Sequence, residues 1–327
     1  MSTFFVLRYD FRTPGATAAE RQELFARSVE QVAHADRCGF GSAMLSEHHS
    51  SDDGYLPSPI PVASAWAAVT SRLPISVSAL LVNLYDPIRL AEDIAVLDHL
   101  SGGRVSYTLG LGYREVEYDL FGRSWRTRGA DVEERIGVLV RALTGQPFEH
   151  EGRTVQVTPA PFTSPHPFFF YGGGSPAAAR RAARLGLGFA PQHPDRTLKA
   201  LYQETCRELG RDPGLVILPP PAPAVVFCSE DPDAFWAAYG HHLLADARAY
   251  EAWHGENQSW VRDAATTVEE LRAGDTYVVA TPEELVGRCR AGLRLVSTHP
   301  GCGGMPADPS WESQRLIGEK VIPAVSG

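Results

Sequence analysis

An apolar run, Ala43-Met44-Leu45, leads straight into Ser46-Glu47-His48-His49. An acid and two imidazoles are groups that can hold, accept or donate a proton near neutral pH. The apolar run fits a buried parallel strand that carries on through Glu47 and His48. Parallel α/β folds place their chemistry at the carboxyl ends of such strands. Side chains alternate along a strand, so only one of His48 and His49 is expected to face a ligand. A His pair satisfied by structural hydrogen bonds is the alternative reading.

A second constellation is Tyr171-Gly172-Gly173-Gly174-Ser175-Pro176. Here a strand enters a glycine turn, and Ser175 can cap a helix that starts at Pro176. Glycines let backbone approach a ligand closely, and a helix N-terminus offers unpaired N–H groups to an anion such as phosphate. An ordinary capped turn is the competing reading. Elsewhere, Ser78-Ala79-Leu80 puts small residues where a flat ring needs room. Asn83 follows and could hydrogen-bond an amide-rich heterocycle. Gly110 and Gly112 keep another strand end open, before Tyr113, Arg114 and Glu115.

The elements that must position these groups alternate along the chain. Phe4–Leu7 reads as a strand and Ala19–Cys38 as a helix stopped by Gly39. A second helix covers Pro61–Ser71, and Pro74–Val82 is a third strand. Pro87 opens a helix that Gly102-Gly103 ends. Strand Arg104–Leu109, helix Val132–Leu143, strand Phe168–Tyr171, a helix from Pro176 and strand Gly188–Ala190 follow. Such alternation predicts a parallel sheet. No G-x-G-x-x-G follows the first strand, which favours a closed barrel over a dinucleotide-binding sheet. A seventh strand is expected at Leu215–Leu218 or Ala224–Phe227, and an eighth at Arg294–Ser297. Thr267-x-x-Glu270 and Thr281-Pro282-Glu283-Glu284 read as capping boxes. The aromatic helical stretch Asp233–Trp253, with His241 and His242, and the Gly301–Gly304 loop, with Cys302, are candidates for a lid and substrate wall. A plain packing helix is the other reading of the former.

Composition bounds the function. The 327 residues suit one large domain or two smaller ones, with 44% apolar and 21% charged residues typical of a globular chain. A net charge of −9 argues against general nucleic-acid binding. The five cysteines are scattered and never paired as C-x-x-C, so neither a disulfide framework nor a metal site is expected, and a cytoplasmic setting is. No apolar run approaches membrane-spanning length, and the N-terminus does not read as a signal peptide.

Together these residues resemble the bacterial-luciferase-like family of flavin-dependent monooxygenases and its deazaflavin-dependent relatives. The resemblance is carried by Glu47-His48-His49, Pro87-x-Arg89-x-Ala91-Glu92-Asp93-x-x-x-Leu97-Asp98-x-x-Ser101-x-Gly103-Arg104, Gly110-x-Gly112, Phe121-Gly122, Tyr171–Ser175, Thr281–Glu284 and Val321-Ile322-Pro323. It implies a single (β/α)8 TIM barrel over 1–327, with an insertion at about 219–265. It further implies reduced FMN at the strand ends, O2 as co-substrate, a separate flavin reductase, a small or medium-sized organic substrate and a homodimer. His48 would be the active-site histidine. Glu47, Ala79, Leu80, Asn83, Gly110, Gly112, Tyr113, Gly172, Gly173, Gly174 and Ser175 would surround the flavin, with His241, His242 and Cys302 toward the substrate. A cis peptide is implied at Ala79–Leu80. The family's phosphate-holding arginine is replaced here by Leu111, which leaves Arg114 or another residue for that task. Coenzyme F420 with hydride transfer, or a non-catalytic flavin-binding subunit, are the rival readings.

Overall fold

The computed structural model describes residues 3–220, 222–254 and 260–326. Its centre is a parallel sheet of seven strands: β1 (Phe4–Tyr9), β2 (Ser42–Leu45), β3 (Ile75–Leu81), β4 (Val105–Gly110), β7 (Phe168–Gly172), β8 (Gly188–Ala190) and β11 (Leu295–Thr298). The order is β11-β1-β2-β3-β4-β7-β8, so successive strands neighbour one another and the last returns beside the first. A short antiparallel hairpin, β5 (Phe148–His150) and β6 (Arg153–Val155), lies outside it. Strands β9 (Val225–Cys228) and β10 (Tyr277–Ala280) form a separate parallel pair.

The helices between these strands are α1 (Ala18–Cys38), α2 (Pro59–Val69), α3 (Pro87–Ser101), α4 (Glu115–Leu120), α5 (Arg128–Ala142), α6 (Pro176–Leu185), α7 (Arg196–Glu208), α8 (Pro232–His254), α9 (Val268–Ala273), α10 (Pro282–Arg290), α11 (Ala307–Leu316) and α12 (Ile322–Ser326). Their ends follow local chemistry. Thr17 and Glu20 make a capping box on α1, and Gly39 ends it in the left-handed conformation at φ 83. Asp86 caps α3 ahead of Pro87. On α9, Thr267 accepts from the Glu270 N–H, but the Glu270 carboxylate turns to Thr266, so of the two expected boxes the one at Thr281–Glu284 is reciprocal.

Leu7, Leu45, Val77, Leu109, Phe189 and Val296, all fully buried, tie the sheet to its helices. Each such side chain contributes about 1.5–3 kcal/mol by leaving water. Because all seven strands run the same way, the segments following them gather at one end. That end holds Asp10, Ser46–His49, Val82–Leu84, Leu111–Tyr113, Gly172–Ser175 and Pro191-Gln192.

Two expectations are corrected and one alternative is resolved. Strand β2 stops at Leu45, and beyond it the His48 N–H bonds the Leu56 carbonyl instead of a neighbouring strand. The cis peptide is Ser78–Ala79, one residue earlier than implied, where the β3–β4 register shifts between Ser78 and Leu80. Of the two candidate seventh strands, Val225–Cys228 forms one, whereas Val216 makes only a single bridge to Phe189. Helices α4 and α7, the β5–β6 hairpin and strand β10 were not foreseen. The insertion range 219–265 includes Pro221 and residues 255–259, which lie outside the described residues.

Candidate active site

A cavity of about 920 Å³ opens at the carboxyl ends of the strands. Met44, Ser46 and His48 all line it, so the two-residue alternation of β2 continues past the last ladder bond. Glu47 also reaches the wall, while His49 does not. The alternation therefore selects His48, although by a loop and not by a strand.

His48 is held at both ring nitrogens. Nδ1 lies 2.8 Å from Glu117 Oε1, and Nε2 lies 2.9 Å from the Tyr113 hydroxyl. Glu117 also accepts from the His49 N–H at 3.0 Å and from Arg114 at 3.2 Å. Burial would raise the Glu117 carboxyl, but these donors outweigh it and hold its pKa below the usual value. Burial lowers the His48 pKa, and Glu117 opposes this only partly. The resting arrangement is therefore a neutral imidazole donating from Nδ1 to the carboxylate and accepting from Tyr113 at Nε2.

The pH dependence follows from that direction. His48 stays neutral until pH falls below its ordinary value near 6.5, so activity that needs a basic Nε2 has an acid limb below that point. Glu117→Gln removes the partner that raises His48. It is expected to move the limb to still lower pH while reducing the plateau, as read from a kcat/KM pH profile. A limb that stays put would separate Glu117 from His48 protonation.

Glu47 braces the opposite wall. Its carboxylate accepts from the Leu81 N–H at 2.8 Å and the Tyr85 hydroxyl at 2.8 Å, and lies 2.8 Å from His49 Nε2. It thus joins the loop after β2 to the end of β3. Ala79, Gly110, Gly112, Tyr113 and the turn Gly172–Ser175 line the cavity with Glu47 and His48. At the turn, a Cβ on Gly172 would stand 2.8 Å from Thr108 Cγ2. One on Gly173, at φ +152, would stand 2.7 Å from Ala178 Cβ. Ser175 caps α6, accepting from the Ala178 N–H.

Five sequence-derived site residues sit elsewhere. Leu80 is buried in the core and is not part of the cavity lining, which Ser78, Ala79 and Leu81 share. Asn83 is buried off the wall, its amide donating to Tyr118 at 3.0 Å and to the Arg128 carbonyl at 2.9 Å. His241 is exposed, and His242 Nδ1 donates to the Gly303 carbonyl at 2.9 Å. Cys302 is buried against α8 beside Asp246 and is not part of the cavity lining.

Arg114 is engaged by the His49 carbonyl at 2.5 Å and by Glu117, so it does not stand at the glycine turn. Arg128 and Arg181 do line the cavity. Arg181 is shared with Glu133 and the Tyr171 hydroxyl, while Arg128 Nε is buried with no hydrogen-bond partner.

Other residues of the site carried little sequence signal. Glu117 lies on the unforeseen α4. Arg8, on β1, interrupts an otherwise apolar run, and the alternation Arg8-x-Asp10-x-Arg12 was a usable sign of charges on one strand face. In the fold these three meet Asp246 and His299. His299 Nε2 lies 3.1 Å from Asp10, and Arg8 lies 3.2 Å from His299 Nδ1 and 3.8 Å from Asp246. Asp246, His299 and Cys302 are close enough to share a metal ion, but the Arg8 guanidinium already supplies the positive charge there. Arg12 is caged by Tyr250 at 4.4 Å and Trp253 at 4.0 Å, and Arg114 covers Trp253 at 4.1 Å.

Residues 2–299 match the model of the luciferase-like monooxygenase family. The chain belongs to that family. A luciferase-like relative, the alkanal monooxygenase alpha chain of Photorhabdus luminescens, is 24% identical over 200 residues, which are 58% of this chain and 56% of that one. The chain thus spans little more than half the length of that curated relative. Two solved luciferase-like folds superpose over 99% of both chains. One is the oxygenating constituent of 3,6-diketocamphane monooxygenase from Pseudomonas putida, in complex with FMN, at TM-score 0.72 and 19% identity. The other is an F420-dependent secondary alcohol dehydrogenase, at TM-score 0.69 and 18% identity. No helix among the described residues is long and apolar enough to cross a membrane.

Proposed function

We propose that this luciferase-like chain is a flavin-dependent monooxygenase that uses reduced FMN, delivered by a separate reductase, and O2 to oxidise a small or medium-sized organic molecule. The observation that carries this reading is one cavity joining a buried His48–Glu117–Tyr113 array to a glycine turn at a capped helix N-terminus. The residues present fit the cofactor. Side chains at Gly172 and Gly173 would collide with Thr108 and Ala178, so the turn keeps bare backbone beside the cavity, and Arg128, whose Nε has no hydrogen-bond partner, would meet an anion in place of the family's arginine at Leu111. Bound there, the flavin supplies reducing equivalents to O2.

The chain's own residues hold protons and exclude water. His48 Nε2 is the basic atom facing the cavity once the Tyr113 hydroxyl is displaced, and Glu117 stabilises the imidazolium that results. Trp125, Tyr171 and Trp260 shield the space from solvent. Ala79, Gly110 and Gly112 leave room for the ring system, and Glu47 keeps their wall in place. The reading also takes the β9–β10 pair as closing an (β/α)8 barrel within a single domain, with 219–265 as its insertion. Exposed Val69, Val96 and Leu100 on α2 and α3 support a homodimer face, and a cytoplasmic setting suits the free cysteines.

Anaerobic calorimetric titration with reduced FMN and, separately, with F420 tests the assignment. Tight FMN binding followed by substrate-dependent O2 uptake is expected. Preference for F420 would turn the function to oxygen-independent hydride transfer, with Arg128 the wall residue placed to meet an acidic cofactor tail, since Arg8 and Arg181 are held by Asp246 and Glu133. Binding of neither would point to a non-catalytic subunit. Gly173→Ala, which strains the turn and meets Ala178, is expected to weaken reduced-FMN binding by about tenfold or more in the same titration. Unchanged affinity would remove the turn from the cofactor site.

A further inference from the structure

One wall of the cavity has a polar file that the flavin reading leaves unused. Ser46, Tyr55 and Tyr250 all line the space. Ser46 Oγ lies 2.5 Å from the Tyr55 hydroxyl, which lies 3.3 Å from the Tyr250 hydroxyl. Tyr250 in turn donates to Asp10 Oδ2 at 3.2 Å. Asp10 is completely enclosed, and its other oxygen faces the Arg12 N–H at 3.0 Å and His299 Nε2 at 3.1 Å.

This termination gives the file a direction. Burial opposes ionisation of Asp10, but His299, Arg12 and Arg8 outweigh it and keep the carboxylate charged. A carboxylate only accepts. Tyr250 therefore directs its proton to Asp10 and accepts from Tyr55. Tyr55 directs its own to Tyr250 and accepts from Ser46. Burial pushes Tyr55 up to about 12 and Tyr250 higher, so both keep their protons. Ser46 has one proton, already directed at Tyr55, and presents a lone pair to the cavity. The Tyr55 ring lies 4.9 Å from the His48 ring, which puts this acceptor on the His48 side. The same cavity carries flat aromatic walls, with Tyr113, Trp125, Tyr171 and Trp260 on its lining.

We propose that Ser46 is a specificity-determining residue that accepts a hydrogen bond from the hydroxyl of an aromatic substrate, so that the cavity takes a phenol in preference to the matching ether. The inference deepens the monooxygenase reading by naming its substrate class, but its test needs no flavin. The full chain, without cofactor, is titrated with 2-naphthol and with 2-methoxynaphthalene by calorimetry. The ether is the more apolar, so burial alone favours it. The directed file reverses that order, with naphthol expected to bind about tenfold tighter, the worth of one good hydrogen bond. Ser46→Ala should collapse the ratio by weakening naphthol. Tyr55→Phe should collapse it differently. With no acceptor at Tyr55, the Ser46 proton is free to turn into the cavity and donate to the ether, whose affinity rises.

Equal affinities in the natural chain, an unchanged ratio in Ser46→Ala, or binding of neither compound would overturn the proposal. Naphthol preference without reduced-FMN binding would leave it standing while the flavin reading fell. FMN binding without the preference would do the reverse.

Discussion

Replacing His48 with alanine is expected to lower turnover by about 10²- to 10⁴-fold, the usual worth of a positioned acid–base group. Reduced-FMN affinity should change little, because the turn at Gly172–Ser175 and Arg128 belong to other parts of the wall. The imidazole contributes by geometry as well as basicity. Glu117 accepts from Nδ1 and so leaves Nε2 as the atom that can take a proton. His48→Gln, which keeps some hydrogen-bonding capacity without basicity, should remain close to alanine. Steady-state kinetics beside anaerobic flavin titration separate the two effects. Turnover near that of the natural chain would remove His48 from the chemistry, and a parallel loss of flavin affinity would make it a binding residue.

The largest stability effect is expected at Asp10. Its side chain is fully enclosed with Arg12, Arg8 and His299, at 4.0 Å from Arg12 and 3.1 Å from His299. Asp10→Ala would leave Arg8 and Arg12 short of a counter-charge in the interior. Breaking a buried pair in this way typically costs about 3–5 kcal/mol. Asp246 and Asp53 remain near the two arginines and should bring the loss toward the lower end. Urea unfolding monitored by circular dichroism would show it as a fall in midpoint. The linkage has a definite sign. The Asp10 pKa is held down in the fold, so its contribution is present above the carboxyl's unfolded pKa and disappears as pH falls through the folded value. The mutant and the natural chain should therefore converge in stability at low pH. A midpoint unchanged at neutral pH would show that solvent reaches the cluster.

How far the sequence could be read depends on the range of each interaction. Helices α1, α3, α6 and α10 announce their own ends, because Thr17, Asp86, Ser175 and Thr281 act on backbone groups within one turn. Apolar runs mark β1, β3 and β4 because a buried parallel strand needs them. Among the unforeseen elements α7 has 13 residues, and the other helix and the strand are short. α4 has six residues, and β10 has four residues whose partner strand is distant in sequence. Neither length sustains a periodic pattern. The expectations for Asn83, His241, His242 and Cys302 went astray for a related reason. A polar residue near a strand end or on an aromatic helix has the right chemistry, yet its direction is set by what it packs against. For Asn83 that is Tyr118 and Arg128, and for His242 it is Gly303.

By itself the sequence determined the alternating parallel architecture, the expectation that only one of His48 and His49 faces a ligand, and the glycine turn leading into a capped helix. All of these follow from contacts within a few residues. Only the tertiary structure decided which proton goes where. Glu117 meets His48 across 69 positions, and His299 meets Asp10 across 289. Strand order brings those groups together, and burial then makes their pairing decisive, because an interior of low polarity penalises any charge or donor left without a partner.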